Sequence, residues 1–203
     1  MPRRFASLDF EALPPPELYR ALSDLIVPRP IAFVSTLDSE GRPNLAPFSF
    51  FMMGGSNPPS LCFSPGRGRD GEKDTLRNIR ATGEMTVNLV TRAESEGMNA
   101  TSATLPYGES EWVASGFTPL DSVLVRPPRV AECAASLEAR LMTVVEHGDG
   151  PGAARYVIAE IVAAHVDETL VGRTGEFAPI ARLGGAAYLD LASSEQFELR
   201  RPA

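Results

Sequence analysis

The feature that most constrains the fold of this sequence is a series of β-strand patterns separated by turn residues. Seven segments are rich in β-branched and aromatic residues. They are IAFVST, NLAPFSFFMM, NPPSLCFS, EMTVNLV, SLEARLMTVVEH, RYVIAEIVAAHVDE and PIARLGGAAYLDL. The loop HGDGPGAAR between the two longest segments is typical of a hairpin. Because only short helical segments lie between the strands, the sequence predicts an antiparallel barrel or sandwich and not a parallel βαβ fold.

The two ends of the chain differ from this central region. Residues 1–27 predict an N-terminal arm, in which three consecutive prolines precede a short amphipathic segment of one or two turns. Residues 193–203 predict a polar C-terminal tail, which leaves residues 28–192 as the folded unit. Within that unit, the proline of NLAPFSFFMM requires an edge strand or a bulge at position 47.

Composition excludes several classes of function. A net charge of −7 and a pI near 4.9 disfavour a nucleic-acid partner or an anionic membrane surface. No stretch approaches the roughly 18 apolar residues of a membrane-spanning helix. Cys62 and Cys133 lie apart in apolar segments, which predicts reduced thiols, no metal site and a cytoplasmic location.

The segment Ser64–Glu84 contains a literal G-x-G-x-x-G at Gly66, Gly68 and Gly71. A dinucleotide fingerprint requires a preceding strand, a tight turn and a long packed helix, whereas only a short helix is predicted here. A triphosphate loop requires Lys-Thr after the last glycine, and the chain has Glu-Lys-Asp-Thr. The dinucleotide motif therefore lacks its structural context, and the triphosphate motif lacks its sequence.

The charge of this segment favours a phosphate site over the alternative, a flexible solvated loop. Five basic residues oppose three acidic ones, a local charge of +2; they are Arg67, Arg69, Lys73, Arg77 and Arg80 against Asp70, Glu72 and Asp74. A helix that begins at Asp74 or Thr75, capped by one of these side chains, would present its N-terminus to an anion. A phosphate monoester suits such a place.

Four motifs in order give a resemblance to a known family. RPIAFVSTLDSEGRPNLAPFSFF, PPSLCFS, KDTLRNIRATGEMTVNLV and PIARLGGAAY resemble the flavin-reductase-like proteins with an FMN-binding split barrel, in the flavoredoxin-like branch. The match runs from about Arg29 to Tyr188. It implies a mainly β fold, a six-stranded antiparallel Greek-key split barrel with short peripheral helices. It also implies a homodimer with FMN near the interface, FAD being the alternative cofactor.

The resemblance assigns cofactor-binding roles around the phosphate and ribityl chain. The phosphate is assigned to a serine, the Lys-Asp-Thr motif and one further cation: Ser64, Lys73, Asp74, Thr75 and Arg29. Asn78 lies one helical turn beyond Thr75 and is expected to reach the same ligand. Ser35, Thr36 and Asn44, at the ends of two adjacent strands, are candidates for the ribityl hydroxyls or the ring edge. Each residue has a simpler alternative role, as a surface, hairpin or helix-surface residue.

The flavin ring is assigned to the segment around position 47. Pro47 removes an N–H and favours a bulge that turns backbone groups toward a ligand. Ser49 is expected to face flavin N5 or O4, and Phe48 to wall the ring; a core aromatic is the alternative for Phe48. The Arg/Gly-rich insert at residues 66–72 is longer than the resemblance leads us to expect, and its role is left open.

The function implied is an NAD(P)H-dependent flavin reductase, with NADH or NADPH as a transient substrate. Hydride transfer from nicotinamide to flavin N5 requires close stacking of the rings and no general base, so two histidines suffice. A monooxygenase or an electron-transfer protein is the expected partner. The alternatives are a flavoredoxin-like electron carrier, an FMN-binding module without turnover, and an oxidase of the related pyridoxamine-phosphate type.

Overall fold

The structure is a computed structural model that describes residues 3–68, 71–106 and 108–202. The helices are α1 (Pro15–Leu25), α2 (Asp74–Thr82), α3 (Ser95–Ala100) and α4 (Glu111–Ser115). The strands are β1 (Ala32–Leu37), β2 (Pro43–Phe48), β3 (Phe51–Ser56), β4 (Pro59–Phe63), β5 (Glu84–Leu89), β6 (Pro119–Leu120), β7 (Arg129–Val130), β8 (Ala135–His147), β9 (Ala154–Val166), β10 (Ile180–Arg182), β11 (Ala187–Asp190) and β12 (Gln196–Glu198). No helix in these ranges is long and apolar enough to cross a membrane.

The main sheet is antiparallel and curls into a barrel. Its strand order is β2-β1-β5-β8-β9-β4-β3, so β2 and β3 lie at opposite edges. Nevertheless the rings of Phe48 on β2 and Phe63 on β4 lie 5.6 Å apart between centroids. A flat sheet would hold these strands far apart, so the sheet must close around the core. The predicted mainly β antiparallel split barrel is confirmed.

The predicted count of six barrel strands was wrong by one. The segment expected to form one strand around Pro47 is divided at Ser49 and Phe50 into β2 and β3, which gives seven strands in the sheet. The last predicted strand is also divided. It forms β10 and β11, which pair with β12 in a separate three-stranded sheet, so the predicted C-terminal tail contributes a strand.

Strand β2 has an edge position because of its prolines. Pro43 and Pro47 lie two positions on either side of Leu45, so these three residues share one orientation along the strand. The Leu45 N–H points away from β1 and is satisfied by the Glu111 carboxylate at 3.0 Å. Pro43 and Pro47 have no N–H to satisfy. The edge is therefore protected from further strand pairing.

Strand β1 is buried on both faces, and this explains its continuous apolar sequence. Ala32 and Val34 point into the barrel core with Leu76 and Ile79 of α2. Ile31 and Phe33 point outward into a second core. That core is covered by residues of α3, α4, β7, β10 and β11: Met98, Trp112, Val130, Ile180 and Tyr188.

The N-terminal arm contains an 11-residue helix, α1, longer than the one or two turns predicted. Arg29 fastens its end. The Arg29 Nη1 donates to the carbonyls of Ser23 and Ile26, each at 2.6 Å, and Nη2 donates to the carbonyl of Leu183 at 3.0 Å. Gly184 lies so close that a Cβ there would be 1.8 Å from a carboxylate oxygen of Asp24. Helix α1 is thus packed tightly against the loop after β10.

The ring pair that closes the barrel gives a test of the fold. Phe63 is about 1% exposed, and Phe63→Ala should lower the free energy of unfolding by about 3–5 kcal/mol, because it removes buried apolar surface and leaves a cavity. Val171→Ala, at a position 69% exposed, should change it by less than about 0.5 kcal/mol. Urea denaturation of both variants measures the difference. Equal stabilities would show that the barrel does not close through this contact.

Candidate functional site

Helix α2 begins beside the open edge of the barrel. Lys73 occupies the N-cap position in an extended conformation, so the prediction that Asp74 or Thr75 caps the helix was wrong. The Asp74 carboxylate pairs with Arg77 at 3.0 Å, and Thr75 faces the barrel. Gly83 ends the helix with a φ of 72°, a conformation that glycine adopts without a steric penalty. Among the described residues no side chain caps the N-terminus of α2, so that end of the helix remains available to a ligand.

Two buried side-chain hydrogen bonds join α2 to the β1–β2 hairpin. The Asn44 amide donates to the Thr75 hydroxyl at 3.1 Å, and the Asn78 amide donates to the Thr36 hydroxyl at 3.1 Å. Thr36 and Asn44 are partners in the strand register. The structure thus brings together four predicted site residues that are far apart in sequence.

One polar atom of this quartet is not satisfied within the protein. The Asn78 Oδ1 is buried and has no hydrogen-bond partner among the described residues. Leaving such an acceptor unpaired costs about 1–3 kcal/mol. Asn78 lines a small cleft together with Pro43, Asn44 and Asp74. A ligand hydroxyl that entered this cleft would supply the missing donor, so these residues fit the polyol chain of a flavin.

Lys73, the only lysine in the sequence, adds a cation at the same place. Its ammonium lies 5.3 Å from the centroid of the Phe48 ring. Desolvation lowers the pKa of Lys73, and the positive charge of Arg201 lowers it further. Much of the Lys73 side chain is exposed, which limits the size of both effects. Two cations and a helix N-terminus therefore converge here, an arrangement that attracts an anion.

The segment assigned to the flavin ring follows directly. Pro47 lies on the open edge of β2, and Phe48 is buried against Phe63. Ser49 is half-buried between β2 and β3, where the chain leaves one edge of the sheet for the other. Phe50 follows it and is exposed.

Three other predicted residues lie outside the quartet. Ser35 is fully buried on the opposite face of β1, where its hydroxyl has no partner among the described residues. The guanidinium of Arg29 binds the backbone around α1. The Ser64 hydroxyl accepts the N–H of Arg155 at 3.1 Å. Each of these side chains has a structural partner or environment of its own.

The Arg/Gly-rich insert packs against the hairpin between β8 and β9. The Arg67 N–H donates to the carbonyl of Ala153, and the Gly152 N–H donates to the carbonyl of Arg67, each at 2.9 Å. Arg67 also lines a cavity of about 220 Å³ with Glu146 and Arg155. Arg69 and Asp70, counted in the charge of this segment, lie outside the described residues.

Sequence reasoning missed Glu111, a buried acid beside the α2 N-terminus. Its carboxylate accepts the Leu45 N–H, and the residue is 8% exposed. Desolvation raises the pKa of the Glu111 carboxyl, and the negative charge of Asp74 adds to the rise, whereas the hydrogen bond from Leu45 opposes it. The contact joins residues 66 positions apart, so no local pattern could have revealed it.

Comparison with known proteins identifies the family. The model of the flavin reductase like domain matches residues 24–181. The chain belongs to the flavin reductase-like family. The uncharacterized protein YwrF of Bacillus subtilis (strain 168) is 36% identical over 195 residues, which cover 92% of this chain and 94% of that protein. Membership supports a flavin-related oxidoreductase with a flavin cofactor.

Two solved structures are similar over nearly the whole chain. Nitrilotriacetate monooxygenase component B from Bacillus cereus has 32% identity and a TM-score of 0.89, covering 98% of this chain and 100% of its own. The 2-nitrobenzoate 2-nitroreductase NbaA from Pseudomonas fluorescens has 29% identity and a TM-score of 0.82, covering 97% and 96%. This flavin reductase-like protein therefore shares the fold of these two structures.

The raised pKa of Glu111 predicts a pH dependence of stability. An acid whose pKa is higher in the folded state binds more protons there, so its penalty is absent at low pH and grows as pH rises through the folded pKa. Glu111→Gln keeps an acceptor for Leu45 and removes the charge. The free energy of unfolding of Glu111→Gln minus that of the wild type should therefore increase between pH 4 and pH 8.

Urea denaturation at several pH values measures this difference. Glu195→Gln removes an exposed carboxylate between β11 and β12 and serves as the matched control. A difference for Glu111→Gln that stays constant or decreases with pH would contradict the inferred environment of Glu111.

Proposed function

We propose that this flavin reductase-like protein binds FMN at the N-terminus of α2 and uses NADH or NADPH to reduce it. One observation carries the proposal. Lys73, a helix N-terminus and the unsatisfied Asn78 Oδ1 lie along one side of the β1–β2 hairpin. The phosphate of FMN would lie against the Lys73 cation, its polyol chain against the buried Asn78 oxygen, and its planar ring against the Phe48–Ser49 segment.

The phosphate end is supported by charge. A phosphate monoester is a compact dianion, and a lysine ammonium meets it as a mobile point charge. The Leu76 N–H of α2 donates to the Lys73 carbonyl at 3.0 Å, whereas the N–H groups of Asp74 and Thr75 come before this first intrahelical bond and add donors and a favourable dipole. Arg201 supplies a second positive charge near Lys73. In a chain with a net charge of −7, Lys73 and Arg201 bring two positive charges to the α2 N-terminus, where the nearby Asp74 carboxylate is paired with Arg77.

The ring end is supported by backbone geometry. The bound flavin would supply the hydride-accepting chemistry. Ser49 is proposed to donate a hydrogen bond near N5 or O4. The Phe48 ring lies in the barrel core, as the alternative role had it, and is proposed to support this segment from the inside. Pro47, with Ser49, fixes the edge at which β2 ends, so the backbone of this segment is held in place for such contacts. Ser35, Ser64 and Arg29 are proposed to shape the site through the strands and helix that they hold.

A homodimer is part of the proposal. Exposed apolar side chains lie on the edge strand β3 and on strands β8 and β9: Met52, Met53, Met142, Val145 and Tyr156. Monomeric soluble proteins rarely expose contiguous apolar surface of this kind. A second copy of the chain would cover it and place two coenzyme sites near one interface.

The proposed partner protein rests on the comparisons, and the proposed cytoplasmic location rests on the cysteines. One similar structure is a component of a nitrilotriacetate monooxygenase, which supports a monooxygenase as the acceptor of reduced flavin. Reduction by another protein, as in an electron carrier, is the second candidate, and FAD is the second cofactor. Cys62 and Cys133 are free thiols, which supports a reducing cytoplasm. Residues 28–192 are proposed as the split-barrel domain, to which the arm adds α1 and the tail adds β12.

Removal of the Lys73 charge should weaken FMN binding selectively. Lys73→Met keeps most of the apolar stem, and the loss of a charged contact should raise the Kd for FMN about tenfold or more. Riboflavin lacks the phosphate, so its Kd should change by less than about twofold. Quenching of flavin fluorescence measures both constants.

Arg173→Met is the matched control, because Arg173 is an exposed cation in a loop distant in sequence from α2. It should leave both affinities unchanged. Equal weakening of FMN and riboflavin by Lys73→Met would remove the phosphate assignment, and wild-type protein that binds neither flavin would overturn the proposed function.

A further inference from the structure

Two exposed aromatic rings lie beside the proposed flavin site. Tyr19 of α1 and Phe50 between β2 and β3 are 55% and 47% exposed. Their ring centroids are 6.2 Å apart at an interplanar angle of 62°, an edge-to-face contact. The pair leaves part of each ring open to solvent, next to a candidate active site.

A buried arginine holds this pair in place. The Arg29 guanidinium carbon lies 5.9 Å from the centroid of the Phe50 ring. Its Nη atoms are bound to three backbone carbonyls at the end of α1 and after β10. Because Arg29 is only 6% exposed, it is a fixed support for the rings rather than a mobile surface cation. The aromatic pair is therefore preorganised.

The backbone connects the pair directly to the flavin segment. Phe50 follows Ser49, and its carbonyl accepts the N–H of Ser64 at 2.8 Å. Two residues earlier, Phe48 carries the Lys73 ammonium over its ring. A planar molecule stacked on Phe50 would thus lie within reach of a flavin ring held at Ser49.

The surrounding charge favours an aromatic anion. The charges of both Arg182 and Asp24 act on Arg29, and Lys73 and Arg201 lie toward the other end of the segment. These groups comprise four cations and the Asp24 carboxylate; the Asp74 carboxylate beside Lys73 is paired with a further cation, Arg77. A nicotinamide nucleotide combines planar rings with a negatively charged pyrophosphate, and it is the electron donor that the proposed function requires.

We propose that Tyr19 and Phe50 form the docking surface for a planar ring of the nicotinamide nucleotide, with Arg29 as its fixed support. The inference rests on the proposed function, since it gives the reductant of that site a place to bind. Helix α1 then has a functional role, because it carries Tyr19 to the mouth of the flavin site. The two rings would provide stacking area for the nucleotide. The flavin itself would bind at the N-terminus of α2.

Steady-state oxidation of NADH and NADPH by FMN-loaded protein tests the proposal. Phe50→Leu and Tyr19→Leu should each raise the KM for the preferred nucleotide about tenfold, the effect of losing one stacked ring. The Kd for FMN should stay within about twofold. Tyr19→Phe keeps the ring and should keep the wild-type KM, and Val171→Ala controls for loss of exposed apolar surface at another loop.

Competition distinguishes the two rings of the nucleotide. ADP-ribose inhibition that weakens in Phe50→Leu assigns the adenine to the pair, whereas weakened inhibition by nicotinamide mononucleotide assigns the nicotinamide. Either result supports the proposal.

An unchanged KM in active, FMN-binding Phe50→Leu and Tyr19→Leu would overturn the inference and leave the proposed function intact. A Phe50→Leu or Tyr19→Leu variant with half the wild-type mass in analytical ultracentrifugation would also overturn the inference. The Tyr19–Phe50 pair would then be an interface between subunits and not a docking surface for the nucleotide. Wild-type protein that binds no flavin would remove both.

Discussion

Two buried hydrogen bonds between α2 and the β1–β2 hairpin fix the geometry on which the candidate site depends. Asn44 to Thr75 and Asn78 to Thr36 are each 3.1 Å long and are shielded from water. In that environment a lost partner is costly, so the helix cannot shift along the hairpin without breaking both bonds. The same bonds hold Lys73 and the α2 N-terminus beside β2, the strand that ends just before Ser49. The structural roles of these four residues therefore coincide with the cofactor-binding roles that we propose for them.

The open edge of β2 is the second part of the account. Its prolines and the Glu111 contact satisfy or remove every outward N–H between Pro43 and Pro47. The edge consequently does not pair with another strand, and the chain turns at Ser49 to the opposite side of the barrel. Because the Glu111 carboxyl is buried, its ionisation lowers the free energy of unfolding. This loss of stability accompanies the contact that satisfies the Leu45 N–H at the edge of β2.

Local sequence patterns predicted an antiparallel β fold, and the resemblance to the family predicted the split barrel; the assignment of the site residues stays a prediction. β-Branched and aromatic residues predicted β1, and Pro47 correctly indicated an edge strand. The division at Ser49 was missed because the apolar run continues through it, and only the curvature of the sheet separates the two strands. Tertiary packing placed Lys73 at the N-cap, where Asp74 or Thr75 was expected. Glu111 and Arg201 interact with residues that are far away in the sequence, so no local sequence pattern could have predicted these contacts.

The central claim is that a flavin phosphate lies against Lys73, and the chain offers a direct measurement. Lys73 is its only lysine, so an amine-reactive reagent has two targets, Lys73 and the α-amino group, which peptide mass spectrometry resolves. The account predicts that saturating FMN slows modification of Lys73 at least severalfold relative to the α-amino group, and that riboflavin protects far less. Equal rates of Lys73 modification with and without bound FMN would contradict it.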